Sequence, residues 1–340
     1  MDKNMVDFRD IPQGLKPRWV SRKVWIERTR RNDPRPPMAD VLAYNNYAPR
    51  NEHQSKLKSI VFLDYYFVAL YDECQALVSA MEIQPDWQSQ MATMLRYYLF
   101  YDTLDYFWHT KMTATQDGQG LQMQNIERMT NNMAYSFMLG WTDQSIYQGY
   151  LTHAALNQGH QLCKYGVSRK HAHTFMLRLF ADWRGDVSHP FLEWAYELPL
   201  YEGLLERWRE PDPEALKPWL QAACEHHAHE AKKDTSRTFF DFGDFRIMRT
   251  PLEIHLLMRL RELEGLSNPK LDHELMAPPF DTLMPPQPVL PPDEMMSGTL
   301  KRVRKEWPDF DQVTALETLK TIPAKPWRYT TQQARKMLGL

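Results

Sequence analysis

The stretch SIVFLDYYFVALYDECQALVSAM, residues 59–81, lies in a part of the chain almost free of proline. Within it Ile60, Leu63, Phe67, Leu70, Cys74, Leu77 and Met81 recur at alternating spacings of three and four, which puts them on one helix face. Val61, Phe62, Tyr66 and Val68 make other faces apolar as well, so the pattern predicts a helix buried on most sides.

The neighbouring segments repeat the pattern. After Pro85 and Asp86, a second predicted helix carries Met91, Met94, Tyr98, Tyr101, Asp105, Trp108 and Met112. A third carries Met133, Phe137, Gly140, Gln144, Tyr147, Leu151 and Ala154, with the glycine and alanine allowing close helix contact. Ser168 is placed to cap a helix running to about Trp183, and Ser188, with His189 and Pro190 behind it, to open the next. Pro213 and Glu214 begin a further helix, and Thr250, Pro251, Leu252 and Glu253 read as a capping box. Period-two alternation is missing. The expected fold is all-α, a long-helix bundle with an extended N-terminal arm and a Pro-rich C-terminal strap.

Proline draws the boundaries of that bundle. It is frequent before residue 50, almost absent from 51 to 189, and dense again from Pro278 to Pro292. The expected organisation is an interaction arm over 1–50, the helical bundle over 51–265, a Pro-rich linker over 266–298 and short helical segments over 299–340. The arm mixes Trp19, Trp25, Tyr44 and Tyr47 with a run of arginines and has too few apolar residues for a core of its own. Its aromatics are expected to anchor on another surface, and these four are the partner-interface candidates. The alternative is an arm folded back on its own bundle.

Composition excludes several classes. A formal net charge of −2 gives no electrostatic reason for binding nucleic acid or an anionic membrane. Three cysteines, an odd number and far apart, argue against a disulfide framework and fit a reducing cytoplasm. The N-terminus lacks an apolar run and no segment offers about 18 consecutive apolar residues, so a soluble cytoplasmic protein is expected.

Chemistry is hard to find in the sequence. CEHHAHE, residues 224–230, resembles a transition-metal site by composition alone. Stepping 100° per residue sends His227 to the apolar face with Leu216, Trp219, Leu220 and Ala223, Glu225 and His229 to the opposite face, and His226 between. One ion would capture two of these ligands, fewer than the three or four that zinc requires. The expectation is therefore a solvated, partly packed helix end. Di-iron bundles need Glu-x-x-His from two helices, and no glutamate here has a histidine three residues on. The relaxed version Asp186-Val-Ser-His189 lies at a helix start, and Asp105 with His109 reads as a buried hydrogen-bonded pair. GxSxG, GxxxxGK[ST] and GxGxxG are missing. No catalytic, cofactor-binding or metal-ligating residue is assigned.

Taken in order, the arm, SIVFLDYYFVALYDECQALVSAM, MLRYYLFYDTLDYFWHTKM (94–112), IERMTNNMAYSFMLGWTDQSIYQGYLTHAAL (126–156) and FLEWAYELPLYEGLLERW (191–208) resemble the β subunit of the hydroxylase component of bacterial multicomponent di-iron monooxygenases. That family includes the methane, alkene, propane, phenol and toluene monooxygenases. The resemblance spans about residues 15–265 and implies a ferritin-like fold related to the catalytic α subunit but without its iron ligands. It further implies a structural role beside an α subunit that holds the di-iron centre and oxidises an alkene, alkane or aromatic hydrocarbon. A γ subunit, a coupling protein and an NADH-dependent reductase with flavin and iron–sulfur centres complete such systems. The alternatives are a self-sufficient metalloprotein using Asp105 and His109, and a helical adaptor unrelated to oxygenases.

Overall fold

The computed structural model describes residues 6–31, 38–47, 57, 64–115, 126–159, 170–235 and 238–324. Among them it holds thirteen α-helices and no strand, in agreement with the all-α expectation. In chain order the first six are α1 (Arg22–Arg30), α2 (Ala39–Asn45), α3 (Tyr66–Met81), α4 (Trp87–Thr115), α5 (Ile126–Met138) and α6 (Thr142–Gln158). There follow α7 (His171–Arg184), α8 (Pro199–Arg207), α9 (Pro213–Glu230), α10 (Leu252–Leu263), α11 (Glu294–Glu306), α12 (Phe310–Thr314) and α13 (Leu316–Lys320). No helix among the described residues is long and apolar enough to cross a membrane.

The axis of the molecule is α4. Its 29 residues span about 43 Å at 1.5 Å per residue, and buried side chains point from it in every direction. It forms an antiparallel hairpin with α3, locked by Tyr98 Oη donating to Glu73 (2.8 Å), Ser79 Oγ donating to Gln90 (2.8 Å) and the edge-on rings of Tyr65 and Phe100. A second antiparallel hairpin, α5–α6, packs across α4, and α7 and α10 pack on α5. On α3 the predicted seam holds for Cys74, Leu77 and Met81, whereas Phe67 is exposed; Ile60 and Leu63 lie outside the described residues.

The third predicted helix is in fact two. Gly140 takes φ +73° between α5 and α6, where a side chain would be strained, and a Cβ there would sit 2.7 Å from Pro286 Cα. The chain therefore reverses at the position the periodicity treats as a helix contact. The proline-rich segment closes over this turn: Gln287 N donates to Leu139 O (2.8 Å), and Trp141 Nε1 donates to Gln287 O (3.0 Å). Further along, Tyr97 Oη donates to Asp293 (2.6 Å), and α11 already begins at Glu294, inside the segment expected to be linker. Residues 330–340 lie outside the described residues.

Other boundaries differ for local reasons. Asp212 caps α9 through Glu214 N (3.0 Å), so that start falls where Pro213 and Glu214 predict it. The capping box at Thr250 is not made: Thr250 Oγ1 donates to Arg246 O, while Glu253 turns inward to His227. No helix opens at Ser188, because His189 is buried with Nδ1 donating to Asn157 Oδ1 (2.7 Å). Ser168 lies outside the described residues.

Three interior histidines make stability depend on pH. Burial lowers His153 from 6.5 to about 4, His189 to about 3 and His255 to about 4. The unfolded chain takes up protons as pH falls through about 6.5 while the native chain does not until about 4, so stability is lost across that window. Glu73, raised by burial, works in the opposite sense at the acid end. Urea midpoints should fall steadily from neutral pH towards pH 4. His255→Gln, which retains a donor for Phe280 O (2.9 Å), should flatten part of the slope, and an unchanged slope in that variant would contradict the assignment.

Candidate functional site

The centre of the bundle is charged. Asp102 and Asp105, three residues apart on α4, face α5, which returns Arg128 and Asn132 to the same point. Arg128 Nε donates to Asp102 (3.0 Å) and its Nη2 to Asp105 (3.2 Å), with the guanidinium 4.3 Å from the centre of the Tyr101 ring. Asn132 Nδ2 and Gln148 Nε2 each donate to Asp102 at 2.7 Å, so α4, α5 and α6 meet on one carboxylate. Burial pushes the Asp102 carboxyl up, and Arg128 and Asn132 pull against it. His109 Nε2, one turn on, stands 3.3 Å from Asp105 Oδ1.

This cluster decides how the Asp105–His109 pair is to be understood. A metal ion on Asp105 would stand beside the guanidinium of Arg128, whose Nη2 lies 3.2 Å from Asp105 Oδ2, and the two positive charges would repel. The sequence reading counted Asp105 and Gln144 as the interior polar groups and missed Asp102, Arg128, Asn132 and Gln148. Gln144 is only half-buried; Gln148 is the interior amide. The available signal was the i, i+3 aspartate pair facing Arg128 and Asn132 at i, i+4, two polar stripes that only a central, all-round buried helix would bring inside. A second network of the same kind joins Glu73, Tyr98, Arg246 and Asp244, with Arg246 Nη1 donating to Glu73 at 3.0 Å.

CEHHAHE lies at the end of α9 and is engaged on both faces. His227 is fully buried, stacked at 3.5 Å on Phe242, with Nδ1 2.8 Å from Glu253 and Nε2 3.2 Å from Ile247 O. Thus the wheel placed His227 correctly. The expectation of a solvated outer face needs correction. Glu225 accepts from the backbone N–H of Gly14 (2.6 Å) and Leu15 (3.3 Å), His229 Nδ1 donates to Lys16 O (3.0 Å), and Arg18 N donates to Ala228 O (2.9 Å). His226 faces Asp241 at 3.4 Å. Burial would raise Asp241, but His226 and nearby His171 and His173 hold it below the usual carboxylate range. Among the described residues no group of three or more metal-ligating side chains forms a metal site.

The arm continues from that clamp along the bundle. Trp25 is 1% exposed and donates through Nε1 to Phe245 O (2.6 Å); Tyr44 is 0% exposed and donates to Glu306 (2.8 Å) beneath the guanidinium of Arg302. Trp19 is half-buried against Arg249, and Tyr47 is about half exposed on the other side of Arg302. As partner anchors, Trp25 and Tyr44 therefore need correction: their surface is spent inside this chain. Burying large aromatics against the bundle leaves no orphan polar atom here, because each indole or phenol finds an acceptor. Tyr47 is the one of the four that presents a large face outward.

Comparison with protein-family models, with curated proteins and with solved structures gives no match. The functional reading therefore rests on the residues themselves.

Two measurements follow. Arg128→Met should destabilise the chain by about 3–5 kcal/mol in urea, since it strands two buried carboxylates, and adding Asp102→Asn and Asp105→Asn should recover part of that loss. Deleting residues 1–50 should remove the bundle's cooperative unfolding transition, with Trp25→Ala alone costing about 3–5 kcal/mol. Retention of the native melting temperature by either variant would refute the corresponding assignment.

Proposed function

We propose that this chain is a non-catalytic helical subunit that acts through its surface, the structural β subunit of a di-iron hydroxylase. The observation that carries the first half is the Arg128 guanidinium between Asp102 and Asp105: the carboxylates at the bundle centre are bound to a cation from within the chain. An interior filled by a fixed cation and its hydrogen-bonding partners gives rigidity without a reactive centre. The second half rests on the helices whose resemblance to hydroxylase β subunits is given above.

In that reading the catalytic α subunit holds the di-iron centre, and electrons reach it from NADH through the separate reductase. This chain holds α-subunit helices in place for chemistry that tolerates little misplacement. The long α4 axis, the strapped α5–α6 turn and the clamped arm support such a role, since each stiffens the surface against which a partner would pack.

The test is co-expression with a di-iron protein of the same genome, recognised by two Glu-x-x-His motifs. The expected result is a stable complex in which iron is retained by the partner, while the chain purified alone carries no stoichiometric metal. About one iron or zinc per isolated chain, lost in Asp105→Asn, would replace this reading with the self-sufficient metalloprotein. A folded chain that ignores every di-iron protein of its own genome would replace it with the unrelated adaptor.

A further inference from the structure

An open cleft of about 850 Å³ runs between the arm, the N-terminal half of α3 and the loop that follows α9. Its volume lies within the range of sites that hold a ligand of several residues' size. Its lining carries three exposed cations, Arg28 on α1 and Lys232 and Lys233 just beyond α9. Among the described residues none of these three has a carboxylate partner. The acidic residues of the wall are largely occupied, Asp234 by Lys170 at 3.1 Å and Asp244 by Arg246, which leaves Glu127. The apolar part of the wall is formed by Tyr66 and Leu70 on α3 and by Phe245, which is exposed.

We propose that this cleft is the docking site for a short acidic segment of a partner protein, one that carries an aromatic or aliphatic anchor. A chain whose overall charge is −2 lines one cleft with three cations that have no carboxylate partner among the described residues, so the complementary ligand is anionic. The apolar wall favours a peptide over a nucleic acid. Duplex DNA presents about one charge per 1.7 Å, and three cations beside a recessed apolar surface neutralise little of it. A peptide can place carboxylates on the cationic rim and one anchor against Leu70 and Phe245.

This inference deepens the subunit reading by naming the chemistry of the contact, and it is tested without any partner. The probe is a fluorescein-labelled peptide of glutamates around one central phenylalanine, followed by anisotropy on the full chain. Binding is expected to weaken at least about tenfold in the Arg28→Glu, Lys232→Glu, Lys233→Glu triple variant and several-fold in Phe245→Ala. Lys301→Glu, on exposed α11, should change it less than about twofold. Circular dichroism and melting temperature establish that each variant folds. Failure of the wild type to bind, as when a segment of the chain itself fills the cleft, would overturn the proposal. So would unaltered binding by the triple variant, or equal affinity for single-stranded DNA or polyphosphate of the same charge. A negative peptide result leaves the co-expression test untouched, and absence of an oxygenase partner leaves the peptide result untouched.

Discussion

A carboxylate buried at the centre of a helical bundle must be met by donors, and that constraint organises this molecule. Asp102 has essentially no exposed surface and takes donors from α5 and α6 at once. Sliding either helix by one turn would move its donor about 5 Å from the acceptor and leave a buried charge uncompensated. Apolar contacts between long helices tolerate several registers; a charged hydrogen-bonded node tolerates one. Arg128 completes the node by donating to Asp102 and Asp105 together, and its stacking on Tyr101 uses the aromatic lining of α4.

The outer shell follows the same logic with weaker groups. The turn between α5 and α6 is closed by backbone and indole hydrogen bonds to Gln287, so the proline-rich segment pins the tip of the second hairpin. On the opposite side, the backbone of residues 14–18 is held by Glu225, Ala228 and His229. A histidine-rich stretch that looks like chemistry is thereby divided between packing and clamping. His227 belongs to the core, His229 to the arm and His226 to Asp241.

At the centre of the bundle Arg128 engages Asp102 and Asp105, while the features that face outward among the described residues include a cationic cleft and the rings of Phe67, Phe245, Tyr47 and Tyr196.

The amino-acid sequence by itself determined that the chain is helical over most of 66–115 and 126–158, through period-three-and-four apolar spacing and the distribution of proline, and that a helix starts at Pro213, because Asp212 with Pro213 is a start signal made of adjacent residues. It also determined which histidine of CEHHAHE turns inward, since the helical wheel is a local property. Tertiary structure decided the rest. Gly140 became a reversal instead of a contact because Pro286, 146 positions later, packs against it. Glu253 left its capping role because a buried imidazole needed a partner, and Asp102 became interior because α4 is covered on every side. Trp25 and Tyr44 look like interface residues in a linear reading because an aromatic side chain carries no mark of which surface will bury it. Only the path of the arm across the bundle chose that surface, and it chose the chain's own.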